Sequence, residues 1–173
     1  ASEFTMLEWY RPGLGFEGLM AETEDYVRAM APPIVAHGAV TTDLSLAFER
    51  ISMAEAFARW CNGLDILATE GDAARLHAAA GLASKPDESW EDLFFRLLLE
   101  RIEPHLGRER ATFLTHWPAP QAALARRDPA DPRAALRFEL FVGGLELANA
   151  FDELTDPAEQ RRRFIADTAG RRR

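Results

Sequence analysis

The sequence predicts an α+β fold, an antiparallel sheet with flanking helices. Three observations predict it. Arg137 to Leu154 reads as strand, tight turn, strand: Val, Leu and Phe fill both arms, and Gly143-Gly144 sits where a two-residue hairpin needs positive φ. Thr112 to Trp117 reads as a further strand, with Pro118 and Pro120 after it. Between them and the start of the chain, apolar residues recur at helical spacing in segments with recognisable caps.

In chain order, Phe4 to Tyr10 has a strand pattern, with Phe4, Met6, Glu8 and Tyr10 on one face and Glu3, Thr5, Leu7 and Trp9 on the other. Arg11-Pro12-Gly13 closes it. Phe16, Leu19, Met20, Val27 and Met30 then mark a helix that Pro32-Pro33 stops. Residues 34–50 fit no single period. Ser52-Met53-Ala54-Glu55 is a capping box for a short helix with Met53, Ala56, Phe57 and Trp60 inward, ended by Asn62-Gly63. Asp72 to Leu82 is an alanine-rich helix. Ser89-Trp90-Glu91-Asp92 caps the clearest helix, whose stripe is Trp90, Leu93, Phe94, Leu97, Leu98 and Ile102, with Pro104 beyond. Asp128 to Pro132 is turn chemistry. Asp156-Pro157-Ala158-Glu159 starts a last helix carrying Arg161, Arg162 and Arg163, which is expected to be a solvated face.

Composition excludes several classes. A chain of 173 residues with 47% hydrophobic content fits one domain with one core. A net charge of −8 argues against a large nucleic-acid-binding face. The single cysteine, Cys61, rules out an internal disulfide and suits a reducing cytoplasm. No apolar run is long enough to span a membrane, and no signal peptide is visible. His37, His77, His105 and His116 show no ligand spacing with one another or with Cys61, so zinc is not expected. His116 reads as a partly buried strand histidine. The chain begins without Met and ends on Arg171-Arg172-Arg173, which reads as an internal piece of a longer protein.

The chemistry concentrates on the hairpin. With the glycines at the tip, Val142 pairs with Leu145, Phe141 with Glu146, Leu140 with Leu147 and Glu139 with Ala148. Glu139 and Glu146 then share a face. Two facing carboxylates repel unless something positive lies between them, and magnesium carried by a phosphate ligand is one answer. Two solvated glutamates are the other. Asn149, Phe151 and Glu153 also share one face, and an amide, a ring and a carboxylate suit an amino acid with a cationic side chain. By parity they point opposite to Glu146. Either a bulge near Leu147 or Ala148 swings them round, or the two groups do not share a site.

Glu146-Leu147-Ala148-Asn149-Ala150-Phe151-Asp152-Glu153-Leu154-Thr155-Asp156 followed by Glu159-Gln160 resembles the strand and helix before motif 3 of class II lysyl-tRNA synthetases. Trp9-Tyr10-Arg11-Pro12 resembles the end of motif 2, and Thr112 to Ala125 a segment between the two. These blocks are most similar to the synthetase paralogues that act as elongation factor P (R)-β-lysine ligases. The resemblance implies part of a class II aminoacyl-tRNA synthetase catalytic domain over residues 1–173, from the end of motif 2 to the helix before motif 3. It implies a cytoplasmic ligase that uses ATP and Mg2+ to make a lysine-type adenylate, with elongation factor P as acceptor. Glu139 and Glu146 would hold the metal, and Glu146 and Leu147 would contact ATP. Glu8, Tyr10, Asn149, Phe151 and Glu153 would bind the amino acid. No residue here is expected to be catalytic, because the family's two arginines and its dimer segment lie outside the sequence. The fragment alone is expected to be inactive and the parent a homodimer. The alternatives are a tRNA-charging synthetase and a noncatalytic binding module. Ala1-Ser2, Ala150 and Asp152 depart from the family pattern, and the last two are expected to retune the pocket.

Overall fold

The computed structural model describes residue 3, residues 5–82 and residues 88–170. Ala1, Ser2, Phe4 and Arg171 to Arg173 lie outside the described residues. The elements are α1 (Gly15–Met30), β1 (Ile34–His37), β2 (Val40–Asp43), β3 (Glu49–Ser52), α2 (Met53–Trp60), α3 (Ala73–Ala80), α4 (Trp90–Leu97), β4 (Thr112–Pro118), β5 (Ala134–Val142), β6 (Leu145–Phe151) and α5 (Pro157–Gly170). The main sheet has four strands in the order β3-β4-β5-β6, and β1 and β2 form a separate hairpin. Among the described residues no helix is long and apolar enough to cross a membrane.

The caps read from sequence form as expected. The Ser52 hydroxyl accepts from the Glu55 amide and the Glu55 side chain accepts from the Ser52 amide; Ser89 and Asp92 repeat the device at α4. These bonds hold the Glu55 and Asp92 carboxyls below their usual range. The α4 stripe is buried throughout and runs on into a π-helical turn, Leu98–Ile102, and a 3-10 turn, Glu103–His105.

The sheet is packed on both faces. Leu114, Trp117, Ala135 and Phe141 join the core made with α2, α3 and α4, whereas Phe113, Phe138, Leu140 and Val142 join Phe16 and Met20 of α1. That alternation is the period of two read through a central strand buried on both sides. Residues 34–50, without a clear period, supply β1, β2 and the start of β3. β3 pairs parallel to β4, so the sheet is antiparallel only from β4 to β6. A parallel neighbour needs a long crossover, and α2, α3 and α4 provide it.

Two expectations are corrected. Thr5 to Tyr10 is exposed and forms no strand, because no described strand lies beside it to complete a ladder. Its tie is to α1 instead: the Trp9 ring lies 5.6 Å from that of Tyr26, and Trp9 Nε1 donates to Glu22. Of the α1 stripe read by spacing, Phe16 and Met20 are buried, whereas Met30 is exposed at the helix end. Arg163 is not solvated. It pairs with Glu159 at 2.5 Å and donates to the carbonyls of Ala122, Ala123 and Ala125, which fastens α5 to the turn after β4.

The hairpin tip is held from outside. Gly143 and Gly144 have φ of 65° and 73°, the pair of positive values a type I′ turn requires. The buried Thr42 hydroxyl accepts from the Gly143 amide at 2.9 Å and donates to the Gly107 carbonyl at 2.7 Å. The Gly144 amide also donates to Gly107. Gly107 has φ of 61°, and a Cβ there would lie 2.5 Å from the Phe141 carbonyl carbon. Gly107→Ala is therefore expected to destabilise the chain by about 1–3 kcal/mol, read as a lower urea midpoint. An unchanged midpoint would show that the turn has room to shift.

Candidate active site

β5 and β6 pair Val142 with Leu145, Phe141 with Glu146, Leu140 with Ala148, Glu139 with Asn149, Phe138 with Ala150 and Arg137 with Phe151. Leu147 is the extra residue, so the ladder carries a bulge there. Of the two arrangements the spacing allows, the structure takes the bulge. The register expected beyond it, Leu140 with Leu147 and Glu139 with Ala148, is corrected by one residue. The consequence is a single face bearing Arg137, Glu139, Glu146, Asn149 and Phe151.

Arg137 organises that face. Its side chain is only 18% exposed, with the guanidinium carbon 3.9 Å from the centre of the Trp117 ring. It donates to Glu139 Oε1 at 2.6 Å, to the Gln121 carbonyl at 2.8 Å and, through Nε, to Asn149 Oδ1 at 3.2 Å. Even so, burial first, and the Glu146 carboxylate next, push Glu139 up to about 7, with Glu103 adding to the repulsion. Glu103, on the turn after α4, is itself raised by burial and by Glu146.

A face that concentrates three mutually repelling carboxylates against one arginine suits a divalent cation. Among the described residues, no three His, Cys, Asp or Glu side chains converge on one metal position. Glu139 and Glu146 supply two carboxylates on this face, and magnesium takes one or two carboxylates and completes its shell with water and phosphate oxygens.

Leu147 is exposed on the bulge, and a bulge leaves its extra residue outside the ladder, with backbone groups open to a ligand. Glu153 follows β6 and bridges to Ala125. Glu8 and Tyr10 are not brought to this face by any described contact; both are exposed, Tyr10 at 74%. Ala150 and Asp152 do not line the site. Ala150 packs with the α1 side of the sheet, and the Asp152 carboxylate faces Arg126 at 3.4 Å. Their expected retuning of the pocket is corrected on that ground: alternation turns both away from Asn149 and Phe151.

Sequence reading missed Arg137 and Glu103. Arg137 had a signal, since it stands two residues before Glu139 and so on the same face. Glu103 had none, because its approach depends on how the turn after α4 packs. His116, with φ of 55°, stands opposite a second bulge, where Leu136 and Arg137 of β5 face this one residue of β4, and its Nδ1 lies 2.9 Å from the Thr115 hydroxyl. It is partly buried, as expected of it.

The fold is an α+β unit with helices on both faces of its sheet and a cluster of carboxylates around Arg137 on the β5–β6 hairpin. Comparison with known proteins gives that class its family. The profile described as tRNA synthetases class II (D, K and N) matches residues 1–171. The chain belongs to this family. It is 40% identical over 171 residues to the elongation factor P (R)-β-lysine ligase of Hamiltonella defensa, covering 98% of this chain and 49% of that protein. The ligases so named from Yersinia enterocolitica and Vibrio cholerae are each 40% identical over 174 residues, with 98% of this chain and 49% of theirs covered. The chain thus spans about half the length of the curated relatives it matches.

Proposed function

We propose that the protein is an ATP-dependent ligase that activates lysine or a lysine-like amino acid and transfers it to a lysine of elongation factor P. The observation that carries this reading is the bulge at Leu147, which sets the carboxylate pair and the amide–ring pair on one face. ATP is a substrate here. The amino acid's carboxylate attacks the α-phosphorus, pyrophosphate leaves, and the acceptor amine then takes the acyl group. Such chemistry rests on alignment and on charge stabilisation at the phosphates. Glu139 and Glu146 would hold magnesium, which supplies that neutralisation when bound. Glu146 and the backbone of Leu147 contact the nucleotide. Phe151 packs on the substrate's aliphatic stem, and Glu153 and Glu8 pair with its two amines. Tyr10 joins at the side-chain end when the segment carrying it docks beside the site. The protein acts in the cytoplasm as a homodimer.

Among the described residues, Arg137 is the cation on the face of the site, and Glu139 and Asn149 already engage it. The chain alone is therefore expected to give no lysine-dependent ATP–pyrophosphate exchange, whereas the full-length protein is expected to exchange with lysine or β-lysine. Transfer of labelled amino acid to elongation factor P, and not to tRNA, supports the reading. Transfer to tRNA alone would replace it with a tRNA-charging synthetase.

A further inference from the structure

The Arg137 contacts define the chemistry of a neighbour. A guanidinium has only donors, so the group facing it must be an acceptor. The Asn149 amide therefore turns its oxygen toward Arg137 Nε, and its NH2 is the end left for a ligand. Asn149 is exposed, and among the described residues its Nδ2 has no protein partner. Arg137 is in turn over-determined: it is stacked on Trp117 and bonded to the Gln121 carbonyl and to Glu139, so it cannot follow a rotating amide.

We propose that Arg137 is a positioning residue that locks Asn149 as a hydrogen-bond donor, and that the locked NH2 holds an oxygen of the amino acid's carboxylate. This rests on the proposed function and deepens it. The carboxylate is the attacking group in the activation step. A donor of settled orientation on one oxygen leaves the other to approach the phosphorus. A freely turning amide would spend part of its time presenting Oδ1, which repels a carboxylate. The arginine itself touches no substrate. Its side chain is mostly buried behind Glu139 and Asn149.

Two kinds of variant test this. Arg137→Lys keeps a positive charge for Glu139 and loses the fork that reaches Asn149. In the full-length protein it is expected to raise the KM for lysine about tenfold, the effect of one lost charge-assisted bond, with the KM for ATP within about twofold. Asn149→Ala should show a similar rise, and the double variant no further rise, because the arginine acts through the asparagine. Asn149→Asp keeps an acceptor for Arg137 and removes the donor. At this exposed position it disturbs the fold little, and it is expected to raise the KM for lysine more than about tenfold. Additive effects of Arg137→Lys and Asn149→Ala would overturn the proposal, as would an ATP KM that moves with the lysine KM, or full lysine affinity in Asn149→Asp.

A second readout needs no turnover. The Asn149 side-chain NH2 resonances of the 15N-labelled full-length protein, assigned by their loss in Asn149→Ala, should be well separated and should collapse toward free-amide positions in Arg137→Lys. Unchanged resonances would overturn the locking. If the full-length protein shows no amino-acid-dependent exchange, the ligase reading falls and with it the carboxylate partner. The resonances then decide the role of Arg137 by themselves.

Discussion

Glu139→Gln is expected to lower lysine-dependent exchange by a factor of about 100 or more while making the folded chain more stable at neutral pH. The loss follows from the proposed metal role, since an amide binds magnesium far less well than a carboxylate. The gain follows from the electrostatics. The Glu139 carboxyl is pushed from 4.5 to about 7 in the folded chain. Below the lower value both folded and unfolded states are protonated. Between the two, the folded state retains a proton that the unfolded chain has released, so stability falls as pH rises across this window and is level above it. The whole span is worth about 3 kcal/mol. The amide that replaces the carboxyl keeps an oxygen for Arg137 and has no charge to desolvate. Urea melts at about pH 5, 6, 7 and 8 should show the wild type losing stability relative to the variant. Glu55 and Asp92, whose carboxyls are lowered, contribute the opposite slope, lost only as pH falls toward the acid range, and they do so equally in both proteins. Parallel curves for the two would sink the account.

Phe94→Ala is expected to destabilise the chain by about 3–5 kcal/mol. Phe94 is fully buried, with ring centres 5.5 Å from Phe57, 4.9 Å from Trp90 and 6.0 Å from Trp117. Truncation leaves a cavity between α2, α4 and the sheet that these large, stacked rings fill poorly. The damage should also reach the site, because Trp117 is the platform under Arg137. Phe94→Leu, which preserves most of the volume, is expected to cost less, about 1–2 kcal/mol. Urea denaturation measures both. A Phe94→Ala loss below about 1 kcal/mol would mean that the core closes over the gap.

Local signals that a few neighbouring residues settle were legible in the sequence. The capping boxes at Ser52 and Ser89, the Gly143-Gly144 turn, β4, and the buried stripe of α4 all formed as the sequence indicates. So did the family, because Glu-Leu-Ala-Asn and its neighbours carry it without any structure. The strand pattern of Thr5 to Tyr10 did not become a strand, because a strand also needs a partner, and pattern alone does not supply one. The parallel partner β3 lay hidden in a segment too short and mixed for any period to show.

What the sequence by itself determined was the list of candidates for the site: Glu139, Glu146, Leu147, Asn149, Phe151 and Glu153 are nominated by pattern and resemblance. What only the tertiary structure decided was which of them meet. Alternation along a strand tells which residues share a face until one extra residue intervenes, and then every later assignment reverses. The bulge at Leu147 depends on what grips the hairpin from outside. Thr42 and Gly107 hold the tip, β4 holds one arm, and Arg137 on Trp117 holds Asn149 level with Glu139. Those partners come from residues far apart in the chain, so the face they create is a property of packing, which periodicity along one strand does not encode.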